Sequence, residues 1–140
     1  MNKGFTLWEI LTVIAIIAVM AGVSLPAYQQ FKPTLKLNAE ARQLASDLRY
    51  AQQMAITEQT EYYLIINTED KSYMIVKYPS QTIQSHSLDS ISFGTITGLT
   101  ADKAGFTATG AAKESGAIIL TNGEDTKTVE IKPSGYVKTF

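Results

Sequence analysis

The sequence predicts an α+β chain: a long N-terminal helix, membrane-spanning in its first half, packed on a C-terminal antiparallel β-sheet domain. Three observations predict it. An apolar run from Phe5 to Leu25 carries one charge, Glu9, and stops at Pro26. Beyond Pro33, Leu37, Ala41, Leu44, Leu48, Ala51 and Ala55 recur at steps of four and three, the apolar stripe of an amphipathic helix. From Glu61 the pattern changes to Tyr-, Ile- and Val-rich stretches separated by turn residues, which reads as strands. One long helix followed only by strands places the helix across one face of an antiparallel sheet. The divisions are a polar leader at 1–4, the apolar half of the helix at 5–28, its amphipathic half at 29–60 and the β domain at 61–140.

Phe5 to Leu25 is about 21 residues, enough for a helix to cross a hydrocarbon core of roughly 30 Å. Thr6, Thr12 and Ser24 can return their hydroxyls to the helix backbone. Glu9 is the costly residue, because an acid at the bilayer centre costs about 2.5–3.5 kcal/mol. Near the end of the span the cost is lower, and the positive end of the helix dipole favours a carboxylate there. Glu9 is therefore either a tolerated interfacial acid or a carboxylate with a dedicated cationic partner. A cut after Gly4 would supply one, since the α-amine of a new N-terminal Phe5, with a pKa of about 8, is a cation at membrane depth.

The leader is not a secretory signal peptide, since no small-residue cleavage site follows the apolar run. Lys3 precedes the span, but Lys32, Lys36 and Arg42 follow it, so the positive-inside rule does not fix orientation. Gly22 to Pro26 is a weak segment of the helix. Pro26 frees the carbonyl of Gly22, and Gly22 lowers helix stability by about 1 kcal/mol relative to alanine. This reads as an ordinary proline kink or as a functional weak point. Pro33 is expected to make a second bend or short break, and the helix to fade near Thr57–Thr60.

Tyr62–Asn67 and Ser72–Tyr78 form the first expected hairpin, with Thr68–Lys71 as its turn. Pro79–Ser90 is polar and expected as loop, Ser90–Ile96 as a strand, and Gly98–Glu114 as loop punctuated by Gly105 and Gly110. Ala117–Leu120 and Thr126–Ile131 flank Asn122-Gly123 as a second hairpin. Pro133-Ser134-Gly135 turns the chain into a last strand, Tyr136–Phe140.

At 140 residues the chain has room for one membrane segment and one small domain. Its net charge of −1 offers no bulk attraction for nucleic acid or acidic membranes. With no cysteine there is no disulfide framework and no thiolate metal site. No catalytic constellation, cofactor motif or metal site is legible. His86, the one histidine, lies in the polar stretch and reads as a solvated loop residue without a second ligand. Glu69, Asp70, Glu124 and Asp125 fall at the hairpin turns and read as turn formers rather than a calcium or acid/base site. The glycines Gly94, Gly98, Gly105 and Gly110 do not make a phosphate-cradling strand–loop–helix motif. Tyr62, Tyr63, Tyr73 and Tyr78 alternate with aliphatics, as cross-strand packing requires.

Gly4-Phe5-Thr6-Leu7-x-Glu9, the apolar run and Pro26 resemble the type IV prepilin signal shared by type IV pilins and the pseudopilins of type II secretion and competence systems. Trp8 departs from the usual aliphatic residue, but tryptophan suits a membrane interface. The resemblance implies cleavage between Gly4 and Phe5 by a prepilin peptidase and N-methylation of Phe5. Glu9 becomes the fifth residue of the mature chain, where the family keeps an assembly glutamate, and Gly22 and Pro26 mark its helix break. The chain would sit in the inner membrane with its C-terminal domain outside the cytoplasm. It would then join a filament, with sibling subunits and an inner-membrane assembly platform as partners.

Phe106-x-x-x-Gly110, Gly116-Ala-Ile-Ile-Leu120 and Val129-Glu-Ile-Lys-Pro-Ser-Gly135, with Leu44-x-x-x-Leu48-Arg49-x-Ala51-x-x-x-Ala55, resemble the GspH/FimT-type minor pseudopilin domain. The lack of the C-terminal disulfide loop of many major pilins agrees with a minor subunit. Some FimT-like relatives capture DNA through a basic motif with arginine after the C-terminal glycine. Here that run is Gly135-Tyr136-Val137-Lys138, with tyrosine in the arginine place, and Lys127, Lys132 and Lys138 are scattered. Phosphate neutralisation needs clustered cations, so DNA capture stands second to a structural role.

Overall fold

The computed structural model describes residues 4–140, apart from the side chains at 23–27, 29 and 30. Helix α1 runs Leu7–Glu58. Eight strands follow: β1 Tyr62–Asn67, β2 Ser72–Lys77, β3 Gln81–Ser87, β4 Ser92–Thr97, β5 Lys103–Phe106, β6 Gly116–Thr121, β7 Thr126–Ile131 and β8 Val137–Thr139. The chain divides into two units, residues 1–33 and 34–140, and the boundary falls inside α1 at Pro33.

In the first unit every described side chain is exposed, including Phe5, Leu7, Trp8, Ile14 and Ile17. Among the described residues no helix is long and apolar enough to cross a membrane. The span expected over Phe5–Leu25 includes Val23, Ser24 and Leu25, whose side chains lie outside the described residues, as does Lys3. The helical assignment continues through Gly22, Pro26 and Pro33. The break expected at Pro33 is absent from it, because a proline costs one hydrogen bond while the turns on either side keep theirs. The side chain of Pro26 also lies outside the described residues.

In the second unit the stripe behaves as its spacing predicts. Leu37, Ala41, Leu44, Leu48, Ala51 and Ala55 are all buried, joined by Ala45 and Asp47. They meet Tyr62, Leu64, Tyr73 and Ile75 from one sheet and Ile118, Leu120, Val129 and Ile131 from another in one core. Burying a side chain of Leu or Ile size contributes about 1.5–3 kcal/mol. This core is what fixes the helix to the strands.

The strands form two four-stranded antiparallel sheets, β3-β2-β1-β5 and β4-β6-β7-β8, where one sheet was expected. The chain changes sheets after β3, where Leu88 and Ile91 are buried in the core and β4 pairs with β6 rather than with β3. The hairpins β1–β2 and β6–β7 lie where the sequence places them, within a residue. Two strands were read as loop. β3 is an edge strand exposed along six of its seven residues, so it has no apolar alternation to betray it. β5 contains Gly105, which is a packing glycine rather than punctuation. A Cβ there would meet the Tyr63 ring at 2.9 Å, so the cross-strand partner needs its absence. A single 3-10 turn, Thr100–Asp102, precedes β5.

The turns are held by asparagine rather than by the acids beside it. Asn67 Oδ1 accepts hydrogen bonds from the backbone N–H of Glu69 and Asp70. Asn122 Oδ1 does the same for Glu124 and Asp125. Both are Asx turns, in which the side chain mimics a backbone carbonyl.

Candidate assembly site

The N-terminal turn of α1 is a reciprocal cap. Thr6 Oγ1 accepts from the backbone N–H of Glu9 at 3.3 Å, and Glu9 Oε2 accepts from the backbone N–H of Thr6 at 2.9 Å. The Thr6 hydroxyl also donates to Oε2 at 2.9 Å. Thr6-x-x-Glu9 is thus a capping box, two otherwise unpaired donors of a helix start satisfied by each other's side chains. That spacing was legible in the sequence, where Glu9 was weighed only for its charge. Among the described residues Oε1 accepts no hydrogen bond. The box therefore holds the carboxylate at the helix start, bonded to Thr6, the residue after Phe5, with one oxygen unused among the described residues.

Phe5 is 85% exposed and, with Glu9, Ile10, Val13 and Ile14, lines an open, mainly apolar groove of about 540 Å³. The Thr12 hydroxyl donates to the carbonyl of Trp8 at 2.6 Å, so it is satisfied within its own helix. Gly22 has nothing within 4 Å of where its Cβ would lie. Among the described residues no neighbour requires a glycine there. Gly4 and Phe5 carry no structure that marks a cleavage point beyond standing outside the helix.

In the second unit polar side chains fasten the helix to both sheets. Asp47 is 5% exposed, and its Oδ2 accepts from the Tyr73 hydroxyl at 2.6 Å while Oδ1 accepts from Gln43 at 3.1 Å. Burial, then the hydrogen bond to Asp47, push the Tyr73 hydroxyl pKa well up. His86 is not a loop residue: it lies on β3, half-buried, with Nε2 2.9 Å from Glu40 Oε2 and its ring 5.2 Å from that of Tyr73. At the other end of the helix, Gln52 Nε2 donates to Gly110 O at 2.7 Å and Arg49 Nη2 to Val137 O at 3.0 Å. Gly135, at φ +83°, lies against both Gln52 and Gly110.

Two ion pairs close the strand ends. Lys77 meets Glu58 at 2.6 Å, and Tyr62 OH donates to the same carboxylate at 2.8 Å. Lys113 meets Glu61 at 2.7 Å, with Tyr63 OH donating to it at 2.6 Å. The lysine contacts, then the tyrosines, hold both carboxyls below the usual range. Burial and Glu58 push Tyr62 up to about 12. No group of three or more His, Cys, Asp or Glu able to hold a metal occurs among the described residues. Tyr136 is 58% exposed, and the Lys138 ammonium lies 4.1 Å from the Phe140 ring centroid.

Residues 40–135 match the family model described as type II transport protein GspH. The type IV major pilin protein PilE1 of Neisseria gonorrhoeae is 44% identical over 64 residues, 46% of this chain and 34% of that protein. The fimbrial protein of Neisseria meningitidis serogroup B is likewise 44% identical over 64 residues, 46% of this chain and 33% of that protein. The match therefore spans about a third of the length of these curated relatives. The fold is similar to that of the type IV minor pilin FimU of Pseudomonas aeruginosa, with TM-score 0.63 at 17% identity, covering 77% of this chain and 90% of that one. It is similar also to the minor pseudopilin EpsH of the Vibrio cholerae type 2 secretion system, with TM-score 0.62 at 12% identity, covering 75% and 96%.

Proposed function

The chain belongs to the GspH family, and from that premise we propose that it is a minor subunit of a type II secretion pseudopilus or a type IV pilus-like filament. In this reading it is inserted in the inner membrane by its N-terminal helix, with the leader in the cytoplasm. A prepilin peptidase cuts between Gly4 and Phe5 and N-methylates Phe5. An inner-membrane platform then adds the mature chain to a filament of sibling subunits. The fold and family are those of structural subunits rather than enzymes, so the work done is positioning.

The single observation that supports this most is the capping box. Glu9 is already a helix-start group in its own chain, with Oε2 used and Oε1 accepting no hydrogen bond among the described residues. A neighbour's Phe5 amine is the cation that would complete it. Pairing neutralises two charges in a low-dielectric setting, where an unpaired carboxylate is costly. It also fixes the axial step between helices, because the pair joins two defined points on two chains.

Glu9→Ala separates the steps. The variant is expected to insert and be cut like the wild type, yet to enter filaments at a small fraction of the wild-type level. Wild-type incorporation of Glu9→Ala, measured by quantitative blotting of sheared filaments, would show that the carboxylate only caps its own helix.

A further inference from the structure

Asn122 is followed by Gly123, the dipeptide whose main chain most readily attacks its own side-chain amide. In that reaction the Gly123 nitrogen gives up its proton and bonds to Asn122 Cγ. The Cγ–Nδ2 bond breaks, and ammonia leaves with the proton. Water then opens the resulting succinimide at either carbonyl, leaving aspartate or isoaspartate. The sum is one water taken up and one ammonia released, with no oxidant or reductant. Glycine favours ring closure because it has no Cβ to block it. Gly123 is exposed at φ +97°, with nothing within 4 Å of where its Cβ would lie.

The β6–β7 turn holds both reacting groups back from that step. Asn122 Oδ1 accepts from the N–H of Glu124 at 2.9 Å and of Asp125 at 2.7 Å, which restrains the amide. The Gly123 N–H donates to Thr121 Oγ1 at 3.0 Å, and the Thr121 hydroxyl is itself fixed by donating to the Asp125 carbonyl at 3.0 Å. Ring closure must release these hydrogen bonds, so it waits for the turn to open. Asn122 Nδ2, by contrast, is buried and has no partner among the described residues, so nothing retains the ammonia. The turn of the first hairpin has the same asparagine cap with a different protection. There Asn67 Nδ2 donates to Asp70 Oδ2 at 2.6 Å, and the next residue is the β-branched Thr68.

We propose that Asn122-Gly123 is a deamidation site kept closed by the Thr121 hydroxyl, so that its conversion records how long the β6–β7 turn has stood open. The turn does not recover from the change. A carboxylate at 122 puts a charged oxygen where a buried, partnerless nitrogen now lies, beside Glu124 and Asp125. Isoaspartate also adds a methylene to the main chain, which the pairing of Thr121 with Thr126 cannot absorb in register. Asp125 Oδ2 accepts from the Thr34 hydroxyl of α1 at 2.7 Å, so a displaced turn also loses this hold on the helix.

Thr121 acts through Gly123 and is a positioning residue. The test incubates the full chain in detergent at mildly alkaline pH, folded and in guanidinium chloride. Mass spectrometry follows the peptide that contains Asn122, with isoaspartate separated by chromatography. Asn122 is expected to convert about ten-fold or more slowly in the folded chain than in the denatured one. Equal rates would overturn the proposal. Thr121→Val should raise the folded-state rate at Asn122 several-fold while Asn38 and Asn67 keep theirs. Thr121→Ser, which retains the hydroxyl, should restore the slow rate. An unchanged rate in Thr121→Val, or a fast one in Thr121→Ser, would refute the role of the hydroxyl. Acceleration at Asn38 and Asn67 as well would refer the effect to general unfolding and refute it too.

Discussion

Gly135→Ala perturbs the point where the β7–β8 turn meets the helix. The residue stands at φ +83°, where an added Cβ would lie 2.2 Å from Gln52 Nε2 and 2.2 Å from Gly110 O. Three costs combine. The left-handed backbone costs an L-residue about 1–2 kcal/mol. Displacing Gln52 sacrifices its hydrogen bond to Gly110, a loss of about 1 kcal/mol. The Gly110 carbonyl is backbone and can move only with the turn it belongs to, which adds strain of about 1 kcal/mol. The expected destabilisation is therefore about 3–4 kcal/mol, or roughly 13–18 °C in melting temperature for a unit of this size. Thermal unfolding of the full chain in detergent, followed by near-ultraviolet circular dichroism of its tyrosines, measures it. In a Gln52→Ala background, which already lacks that hydrogen bond, Gly135→Ala should cost only the two backbone parts, about 2–3 kcal/mol. A shift below about 2 °C for Gly135→Ala would refute the reasoning, because it would mean that the turn is free to move away from the helix.

Tyr73→Phe removes the hydroxyl that donates to buried Asp47 at 2.6 Å. A hydrogen bond to a charged group contributes about 1.5–3 kcal/mol, and a fall of that size in urea-unfolding free energy is expected, whereas a change under about 0.5 would contradict it. Glu58 and Glu61 have carboxyl pKa values lowered by their Lys77 and Lys113 partners. A lowered folded-state pKa contributes stability above the ordinary carboxylate value of 4.5 and loses it as pH falls below that point. The double variant Glu58→Gln with Glu61→Gln should flatten the acid limb of melting temperature against pH, and an unchanged limb would show the pairs to be inert. Pro26→Ala should stiffen the helix, insert normally and lower filament incorporation in a shearing assay; incorporation at the wild-type level would make the proline an ordinary kink.

The helix stripe and the two hairpins were legible because their signals are local. Periodicity at steps of three and four marks Leu37 to Ala55, and the turn residues Thr68–Lys71 and Asn122-Gly123 mark the hairpin centres. The strands read as loop depend on tertiary context. β3 is exposed on both faces, so its residues alternate in nothing, and Gly105 is needed only because Tyr63 folds over it. The second sheet was hidden for a similar reason, since which strands pair is decided by the core around Leu88 and Ile91. His86 looked solvated in a polar stretch, and only the packing of β3 beside α1 brings Glu40 to it. For the proposed assembly site, Gly4, Phe5, Glu9 and Pro26 were singled out through the resemblance to the prepilin signal. The capping box was written there as Thr6-x-x-Glu9, and it gives the carboxylate a role within its own helix.

The most direct test of the account is the mass of the N-terminal peptide of this chain, taken from cells with and without their prepilin peptidase. The account predicts a peptide beginning at N-methylated Phe5, replaced by one that retains Gly4 when the peptidase is absent. A peptide that begins at Met1 in both strains would contradict it, and would leave Glu9 with no role beyond capping its own helix.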